Sequence, residues 1–320
     1  MTGNRDILAE RTSARSNGPD PRGLPTRGAP LGGLAVDCTK LISHRLRGFG
    51  REENCRSALR QACASTVPCL EIDTRVAADG RIFVYHNPRG RRGVAGRPHI
   101  ARVDGARVGA ARYLSGETLL ELDEALRIFR ERRHPEQRLC LDMKDCGFES
   151  EHLQLVDRYG LEARTSWMSW VPSSLECLYR MGITGPLIFA HWNLTRLATM
   201  GHWLHAALSQ IDVRMLHLVL RGVDRAPAVP DHAHGFQHSL VCTRLPADLE
   251  RLLARSGGGM CVHSSLVSDR LASYCRDAGL QLWVYRVPTA AGYARYAANE
   301  GVSRICCDDA PAVLQAAGVS

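Results

Sequence analysis

Residues 69–86 read CLEIDTRVAADGRIFVYH, and this stretch decides the fold. It holds two runs rich in strand-forming residues, 69–76 and 81–86, on either side of Ala78-Asp79-Gly80. An Asp-Gly pair in this position is a tight-turn signal. The two runs are therefore predicted to pair as a hairpin, and the first of them is also a candidate strand of a larger sheet.

Outside this hairpin, short β-rich runs alternate with amphipathic helical stretches from Lys40 onward. Such alternation is typical of βα units that build a parallel sheet. The predicted strands of that sheet start at eight positions: Lys40, Cys69, Gln137, Thr165, Pro186, Met260, Gln281 and Ser303. Eight strands in a length near the ~250 residues usual for the fold predict an α/β protein, a (β/α)8 TIM barrel with a small hairpin insertion after the second strand. A doubly wound open sheet is the alternative, but no glycine-rich dinucleotide turn supports it.

Helices are predicted between these strands from apolar residues at helical spacing. The predicted ranges are 54–64, 115–132, 151–159, 173–181, 268–278 and 290–300. The segment 193–258 has no clear pattern, and we predict in it at least one helix near 202–208 and an extra strand at 238–243.

The first 35 residues differ in composition from the rest. They are rich in Gly, Pro, Ser and Arg and lack an apolar period, which predicts a disordered leader over 1–35 and a barrel domain over 36–320. No stretch approaches the ~18 consecutive apolar residues that span a bilayer, and the N-terminal residues do not predict a standard secretory signal. We expect a cytoplasmic protein, with export through a non-standard leader as the alternative.

The charge balance favours anionic partners. Lys and Arg number 41 against 33 Asp and Glu, giving a net charge of +8. The basic residues form no single block and no aromatic-interleaved platform, so nucleic acid is not an expected partner. The expected partner is a small-molecule phosphodiester, and the sequence does not indicate an oligomeric state.

Twelve cysteines raise the question of disulfides or metal binding. They form no C-x-x-C pair, and Cys69, Cys140 and Cys261 fall inside predicted strands. Free cysteine in such positions behaves as a small hydrophobe, so reduced and buried thiols are predicted.

Polar residues recur where the predicted barrel strands end. This is the edge at which TIM barrels build their active sites. The residues are His44 and Arg45, Glu71 and Asp73, His86 and Asn87, Asp142 and Lys144, and Asp308 and Asp309.

Glu71 and Asp73 are two residues apart on a strand, so their side chains share a face. Two such carboxylates repel unless a cation lies between them, and Mg²⁺ and Ca²⁺ prefer oxygen ligands. His44 and His86 suit proton transfer at phosphorus. Taken singly, the carboxylates also fit a solvated strand edge, and His86 fits a core histidine bonded to a backbone carbonyl.

Taken together, these motifs resemble the opening block of the glycerophosphodiester phosphodiesterase family. The block comprises Ser43-His44-Arg45, Glu53-Asn54, Leu70-Glu71-Ile72-Asp73-Thr74-Arg75, Asp79-Gly80 and Val84-Tyr85-His86-Asn87. Leu141-Asp142-Met143-Lys144 resembles a downstream Glu-x-Lys strand, and Ser169, Trp283 and the segment 305–311 resemble further family features. The resemblance is strong over the first fifty residues from Lys40 and thin over 193–258.

The resemblance implies roles for eight residues. Enzymes of this family hydrolyse glycerophosphodiesters to an alcohol and glycerol 3-phosphate. By resemblance, Glu71, Asp73 and Asp142 bind Mg²⁺ or Ca²⁺, and His44 and His86 form the acid–base pair. Arg45 and Lys144 bind the substrate phosphate, and Glu53 supports the site by hydrogen bonding.

Three departures from the family pattern bear on substrate choice. Asp142 stands where a Glu is usual, Leu46 where a Gly is usual, followed by the unusual loop 47–50, and Asn87 where an Asp is common. The alternatives are therefore a sugar-phosphodiester synthase resembling agrocinopine synthase, a lyase resembling sphingomyelinase D, and, last, a non-catalytic phosphate-binding module.

Two further groups have open interpretations. Three tryptophans near strand ends either line a substrate pocket or belong to the core: Trp167, Trp170 and Trp192. Five histidines in the poorly patterned segment suggest zinc, although solvated loop histidines are the more ordinary interpretation: His202, His205, His232, His234 and His238.

Overall fold

A computed structural model of the chain describes residues 36–87, 100–190 and 245–319. It contains ten strands in these ranges: β1 (Leu41–His44), β2 (Cys69–Val76), β3 (Ile82–Val84), β4 (Leu120–Glu121), β5 (Arg138–Met143), β6 (Thr165–Ser169), β7 (Leu187–Ala190), β8 (Gly259–His263), β9 (Gln281–Val287) and β10 (Arg304–Cys307). The described helices are α1 (Arg56–Ala64), α2 (Gly105–Ala110), α3 (Leu122–Arg132), α4 (Glu149–Arg158), α5 (Pro172–Arg180), α6 (Ala247–Arg255), α7 (Asp269–Asp277), α8 (Ala290–Ala297) and α9 (Ala310–Ala316).

The strands close into a barrel. Parallel pairing runs in the order β1-β10-β9-β8-β7-β6-β5-β2, and β1 pairs with β2 to complete the ring. These are the eight strands whose starts the sequence predicts, so the (β/α)8 TIM barrel is confirmed. Both faces of a parallel sheet must be buried. A closed barrel surrounded by amphipathic helices buries one face in its interior and the other under the helices.

The hairpin after the second strand is also present. β2 pairs antiparallel with β3, with Thr74 opposite Val84 and Val76 opposite Ile82. Gly80 takes the left-handed conformation at φ 87° that the turn requires. β3 pairs in turn with the two-residue strand β4, which the sequence analysis places inside a helix starting at 115. That prediction is wrong at its start, because the helix α3 begins at Leu122.

Two apolar layers hold the barrel together. The larger one lies between the barrel and its helices, and includes Leu70, Ile72 and Leu141. The smaller one fills the barrel interior with one or two residues from each barrel strand: Ile42, Cys69, Cys140, Met168, Ile188, Ala190, Cys261, Trp283 and Cys306. Because side chains alternate along a strand, the next inward-facing positions lie above this layer at the carboxyl end of the barrel.

The cysteines in the described ranges are free thiols, and all except Cys38 are buried. Their burial agrees with the prediction that they act as small hydrophobes, and burial raises the pKa of Cys63, Cys69 and Cys275 to about 12. Such thiols are protonated and unreactive at neutral pH.

Several predictions fall outside the described residues. They are the leader over 1–35, the helix near 202–208, the strand at 238–243, Trp192 and the histidine group suggested for zinc. Helix α6 lies inside the poorly patterned segment and was not predicted. In the part of the chain that the structure describes, no helix combines the length and apolar character needed to cross a membrane.

Candidate active site

Three buried carboxylates meet at the carboxyl ends of β2 and β5. In the parallel register of these strands Asp73 lies opposite Asp142, and Glu71 is one inward position below Asp73. One ligand atom of each of these three residues lies within 4.8 Å of the others, and the residues are only 2%, 1% and 6% exposed in chain order. The structure thus brings together the three predicted metal ligands.

The hydrogen bonding of this cluster is incomplete in a way that fits a cation. Glu71 Oε1 and Asp142 Oδ1 are buried and accept no hydrogen bond from the residues described. A buried carboxylate oxygen without a partner is costly, and bound cations commonly satisfy such atoms. The donors are all oxygens, which suits a hard divalent cation.

Lys144 and Arg45 supply positive charge to the same cluster. Lys144 Nζ lies 2.8 Å from Asp73 Oδ1 and also contacts Asp142 Oδ2. Arg45 Nε lies 3.3 Å from Asp73 Oδ2. If all three carboxylates ionise, they exceed the two cationic side chains by one negative charge, which a bound cation would offset.

The two carboxylates of β2 differ in their electrostatics. Burial raises the pKa of Glu71 well above its usual range, and the charges of Asp73 and Asp142 add to the effect. Burial also opposes ionisation of Asp73, but Lys144 and Arg45 outweigh it and hold the pKa well below the usual range. The charge of His86 also lowers the pKa of Asp73.

The loop after β1 is fastened to these carboxylates. Arg45 N donates to Glu71 Oε2 at 2.8 Å, and Asn54 Nδ2 donates to Asp73 Oδ2 at 2.8 Å. Arg45, Leu46 and Asn54 take left-handed φ values of 58°, 59° and 56°. Such values are uncommon outside glycine and often mark functional sites. Leu46 stands where the family that this sequence resembles usually has glycine. It adopts the left-handed conformation with its side chain fully buried.

His44 ends β1 beside a partner to which the sequence analysis gave no role. Its Nδ1 lies 2.6 Å from Oδ1 of Asp308, the residue directly after β10. Burial lowers the pKa of His44, while the hydrogen bond to Asp308 works in the opposite direction. The sequence signal was the Asp-Asp pair after the last predicted strand, but its partner is 264 residues away.

His86 follows β3 on the hairpin. Its Nδ1 lies 2.9 Å from Asn87 Oδ1, and its main-chain carbonyl accepts a 3.0 Å hydrogen bond from Arg75 Nε. Arg75 is buried, and its Nη1 lies 2.8 Å from Asp145 Oδ1. Asp145 also accepts from Val76 N at 2.9 Å. This ion pair, which sequence reasoning missed, connects the ends of β2 and β5 to the backbone of His86.

Glu53, the predicted supporting residue, contacts the arginines of the loop. It accepts from Arg47 Nε at 2.7 Å and lies 2.6 Å from Arg47 Nη2, while Arg45 Nη1 is 3.8 Å away. The third Arg47 nitrogen, Nη1, donates to Asp308 Oδ1 at 2.8 Å. Glu53 therefore reaches the histidine side of the site through Arg47.

The tryptophans divide between the two interpretations. Trp167 is only 1% exposed and belongs to the core. Trp170 is half-buried just past β6, with its ring centroid 6.2 Å from that of Tyr285. Tyr285 in turn makes an edge contact with His263 at 5.4 Å. Trp170, Tyr285 and His263 thus form an aromatic group at the same end of the barrel.

Comparison with known proteins gave structural matches only. No protein-family model matches the chain, and no curated protein matches it.

The solved structures that match share the barrel. An assigned glycerophosphoryl diester phosphodiesterase from Silicibacter pomeroyi DSS-3 has a TM-score of 0.63 and 18% identity, covering 87% of this chain and 92% of its own. A glycerophosphodiester phosphodiesterase from Agrobacterium tumefaciens C58 has a TM-score of 0.56 and 18% identity, covering 86% and 99%. An Oleispira antarctica phosphodiesterase, solved with the product sn-glycerol-3-phosphate, has a TM-score of 0.58 and 17% identity, covering 88% and 96%. The chain therefore has the fold of the glycerophosphodiester phosphodiesterases.

Proposed function

We propose that the protein is a metal-dependent phosphodiesterase that hydrolyses glycerophosphodiesters to an alcohol and glycerol 3-phosphate. The observation that carries the proposal is the buried Glu71, Asp73 and Asp142 cluster, which has two unpartnered carboxylate oxygens. Oxygen-only donors favour Mg²⁺ or Ca²⁺ as the cation. The product-bound Oleispira antarctica structure has the same fold and supports the choice of substrate class.

The chain's own residues account for proton transfer and charge. A bound divalent cation would withdraw charge from the phosphoryl oxygens of the substrate. His44, held neutral by burial, would accept the proton of the attacking oxygen at Nε2. His86 would then deliver a proton to the leaving alkoxide. Arg45 and Lys144 lie beside the carboxylates, and their positive charges would also stabilise the negative charge on the phosphate oxygens.

A second candidate keeps the fold and the metal ligands but changes the reaction. The observation that favours it is the loop after β1, where Leu46 is left-handed and Arg47 bonds to Asp308. This loop borders His44, so its side chains can alter which oxygen attacks phosphorus. The candidate reaction is synthesis or rearrangement of a sugar phosphodiester, similar to that of agrocinopine synthase, or cyclisation by an internal hydroxyl.

The experiment that separates these functions is a ³¹P NMR time course of the purified chain with glycerophosphocholine. It is run with Mg²⁺, with Ca²⁺ and with EDTA. A metal-dependent phosphomonoester signal supports hydrolysis, and a cyclic phosphate signal supports the lyase reaction. A diester that persists under all conditions contradicts the proposed hydrolysis and favours a sugar phosphodiester as the substrate.

A further inference from the structure

Asp308 contacts His44, one of the two proposed catalytic histidines. It follows β10, which pairs with β1, so barrel closure brings it next to His44. The 2.6 Å contact between His44 Nδ1 and Asp308 Oδ1 joins two side chains that are 10% and 17% exposed. Contacts this short between an imidazole and a carboxylate are charge-assisted hydrogen bonds.

Two further residues hold Asp308 in place. Arg47 Nη1 donates to the same Oδ1 atom at 2.8 Å, and the opposite edge of the guanidinium contacts Glu53. The charges alternate along Glu53, Arg47 and Asp308. An arginine bonded at both edges cannot rotate without breaking one of the two contacts, so the Asp308 carboxylate has a defined orientation.

The protonation of this pair follows from its surroundings. Burial opposes ionisation of Asp308, but the hydrogen bond from His44 and the charge of Arg47 outweigh it and lower its pKa. A carboxylate only accepts hydrogen bonds, so the proton of the contact belongs to His44 Nδ1. Burial meanwhile favours the neutral imidazole, which leaves the Nε2 lone pair as its acceptor.

We infer that Asp308 is a positioning residue that holds His44 as the Nδ1–H tautomer, with Nε2 presented to the substrate phosphate, and that Arg47 and Glu53 hold Asp308 in that role. The inference rests on the proposed function for its kinetic consequence, but the tautomer of His44 can be measured without any substrate. The inference also assigns a role to the unusual loop 47–50, because Arg47 belongs to that loop. Carboxylates that orient an imidazole in this way commonly act through the tautomer they select.

The test compares the full-length wild type with Asp308→Asn. The asparagine keeps the shape of the side chain, but its amide can donate to His44 Nδ1 and so favour the opposite tautomer. We expect kcat for a glycerophosphodiester to fall by about 10²-fold to 10⁴-fold, with little change in KM. Two-bond ¹⁵N–¹H spectra of histidine-labelled protein, with the His44 signal identified by its loss in His44→Gln, should show a shift from Nδ1–H to Nε2–H.

Asp104→Asn is the matched control. Asp104 is an exposed acid outside the candidate site, and its carboxylate accepts from Ala106 N at 2.8 Å as the N-cap of α2. Asparagine caps helices as well as aspartate does, so kcat and the His44 spectrum should match those of the wild type. Arg47→Gln is the second variant, because it removes the anchor and leaves Asp308 intact. We expect a loss of about tenfold in kcat and a mixed tautomer signal.

The inference and the proposed function fail in different ways. If wild-type His44 is the Nε2–H tautomer, or if Asp308→Asn changes neither tautomer nor kcat, the positioning role is overturned while hydrolysis stands. If the wild type cleaves no diester, the proposed function is overturned, and the His44 spectra of wild type and Asp308→Asn decide the positioning role by themselves.

Discussion

Glu71 and Asp73 are neighbours on one face of β2, yet their surroundings change their pKa values in opposite directions. Burial and the neighbouring carboxylates dominate the pKa shift of Glu71. The pKa of Asp73 is instead lowered by Lys144 and Arg45, and its carboxylate also accepts a hydrogen bond from the amide of Asn54. Asp73 is thus already supplied with positive and hydrogen-bonding partners. Ionisation of Glu71 depends more on an added cation. We therefore expect metal binding to be more sensitive to substitution of Glu71 than of Asp73.

Glu71→Gln is therefore expected to abolish detectable Mg²⁺ or Ca²⁺ binding and turnover. Metal-free stability should be retained, because a neutral amide avoids the cost of burying a charge. In thermal unfolding, cation at 100 times its Kd should stabilise the wild type by about 2.7 kcal/mol and leave the variant unchanged. Glu149→Gln, at a buried glutamate that bonds to Gly147 N outside the site, is the control. A cation-dependent shift of wild-type size in Glu71→Gln would rule out Glu71 as a ligand.

We expect substitution of either proposed catalytic histidine to lower turnover without changing metal binding. His44→Ala and His86→Ala are each expected to lower kcat by about 10²-fold to 10⁴-fold, the usual contribution of general acid–base catalysis. Cation affinity by calorimetry should stay near that of the wild type, since the proposed ligands are carboxylates. His134→Ala, at an exposed loop position, serves as the control. Near-normal turnover in either site variant would refute the acid–base assignment.

At the scale of elements, the hairpin carries His86 and is joined to the barrel by a buried ion pair. Arg75 and Asp145 are 1% and 4% exposed at their side chains. Their contacts join β2, the residue after β5 and the His86 carbonyl, so they fix where the hairpin ends relative to the carboxylates. The same hairpin carries an exposed pair, Arg81 and Asp79, with both side chains 40% exposed.

These two pairs give a matched comparison. Asp145→Asn leaves Arg75 charged and buried without its counterion, and it should lower the free energy of unfolding by about 3–5 kcal/mol. Asp79→Asn breaks an exposed pair on the same hairpin and should cost less than about 1 kcal/mol. Urea titrations of the three proteins measure both values. Equal and small losses would mean that Arg75 finds another partner inside the barrel.

At the scale of the whole molecule, buried histidines make stability depend on pH. His152 donates from Nδ1 to the Phe148 carbonyl at 2.7 Å, and its Nε2 lies 2.9 Å from Thr74 Oγ1. Burial lowers its pKa below the usual 6.5. The unfolded chain then takes up a proton below about pH 6.5 before the folded chain does, so stability present above that pH is lost as the pH falls.

Acidification should therefore destabilise the wild type with a slope of up to about 1.4 kcal/mol per pH unit for each such histidine. His152→Gln removes one titrating group and should reduce the slope between about pH 6.5 and pH 5. His134→Gln, at the exposed loop position, should keep the wild-type slope. The measurement is the urea midpoint at each pH, and identical slopes in all three proteins would exclude a role for His152.

The barrel could be predicted from sequence because its strands, helices and hairpin turn are each marked by a local sequence pattern. Each of the eight strands is a short β-rich run beside an amphipathic helix, and the Asp79-Gly80 turn marks the hairpin. β4 was missed because Leu120 and Glu121 are only two residues beside a strong helical repeat, and their strand exists only through pairing with β3.

The candidate site was predicted as a set of residues but not as a network. The positions of the histidines and carboxylates follow from strand ends, which local patterns reveal. The contacts of Asp308 and Asp145 depend on which strands become neighbours and on which rotamers fit between them. Sequence spacing therefore indicated that Asp308 lay at the right edge, while its partner His44 could be identified only in three dimensions.

Closure of the ring by β1 and β10 has a consequence for the order in which the protein becomes active. His44 comes from the first barrel strand and Asp308 from the end of the last, 264 residues later. During synthesis the carboxylates of β2 and β5 emerge early, but the imidazole beside them has no orienting partner until the ribosome has passed β10. A chain that stops before β10 therefore contains all three candidate ligands but lacks the carboxylate proposed to orient His44. Under the proposed role of Asp308, full turnover requires the synthesis of β10 and the residue that follows it.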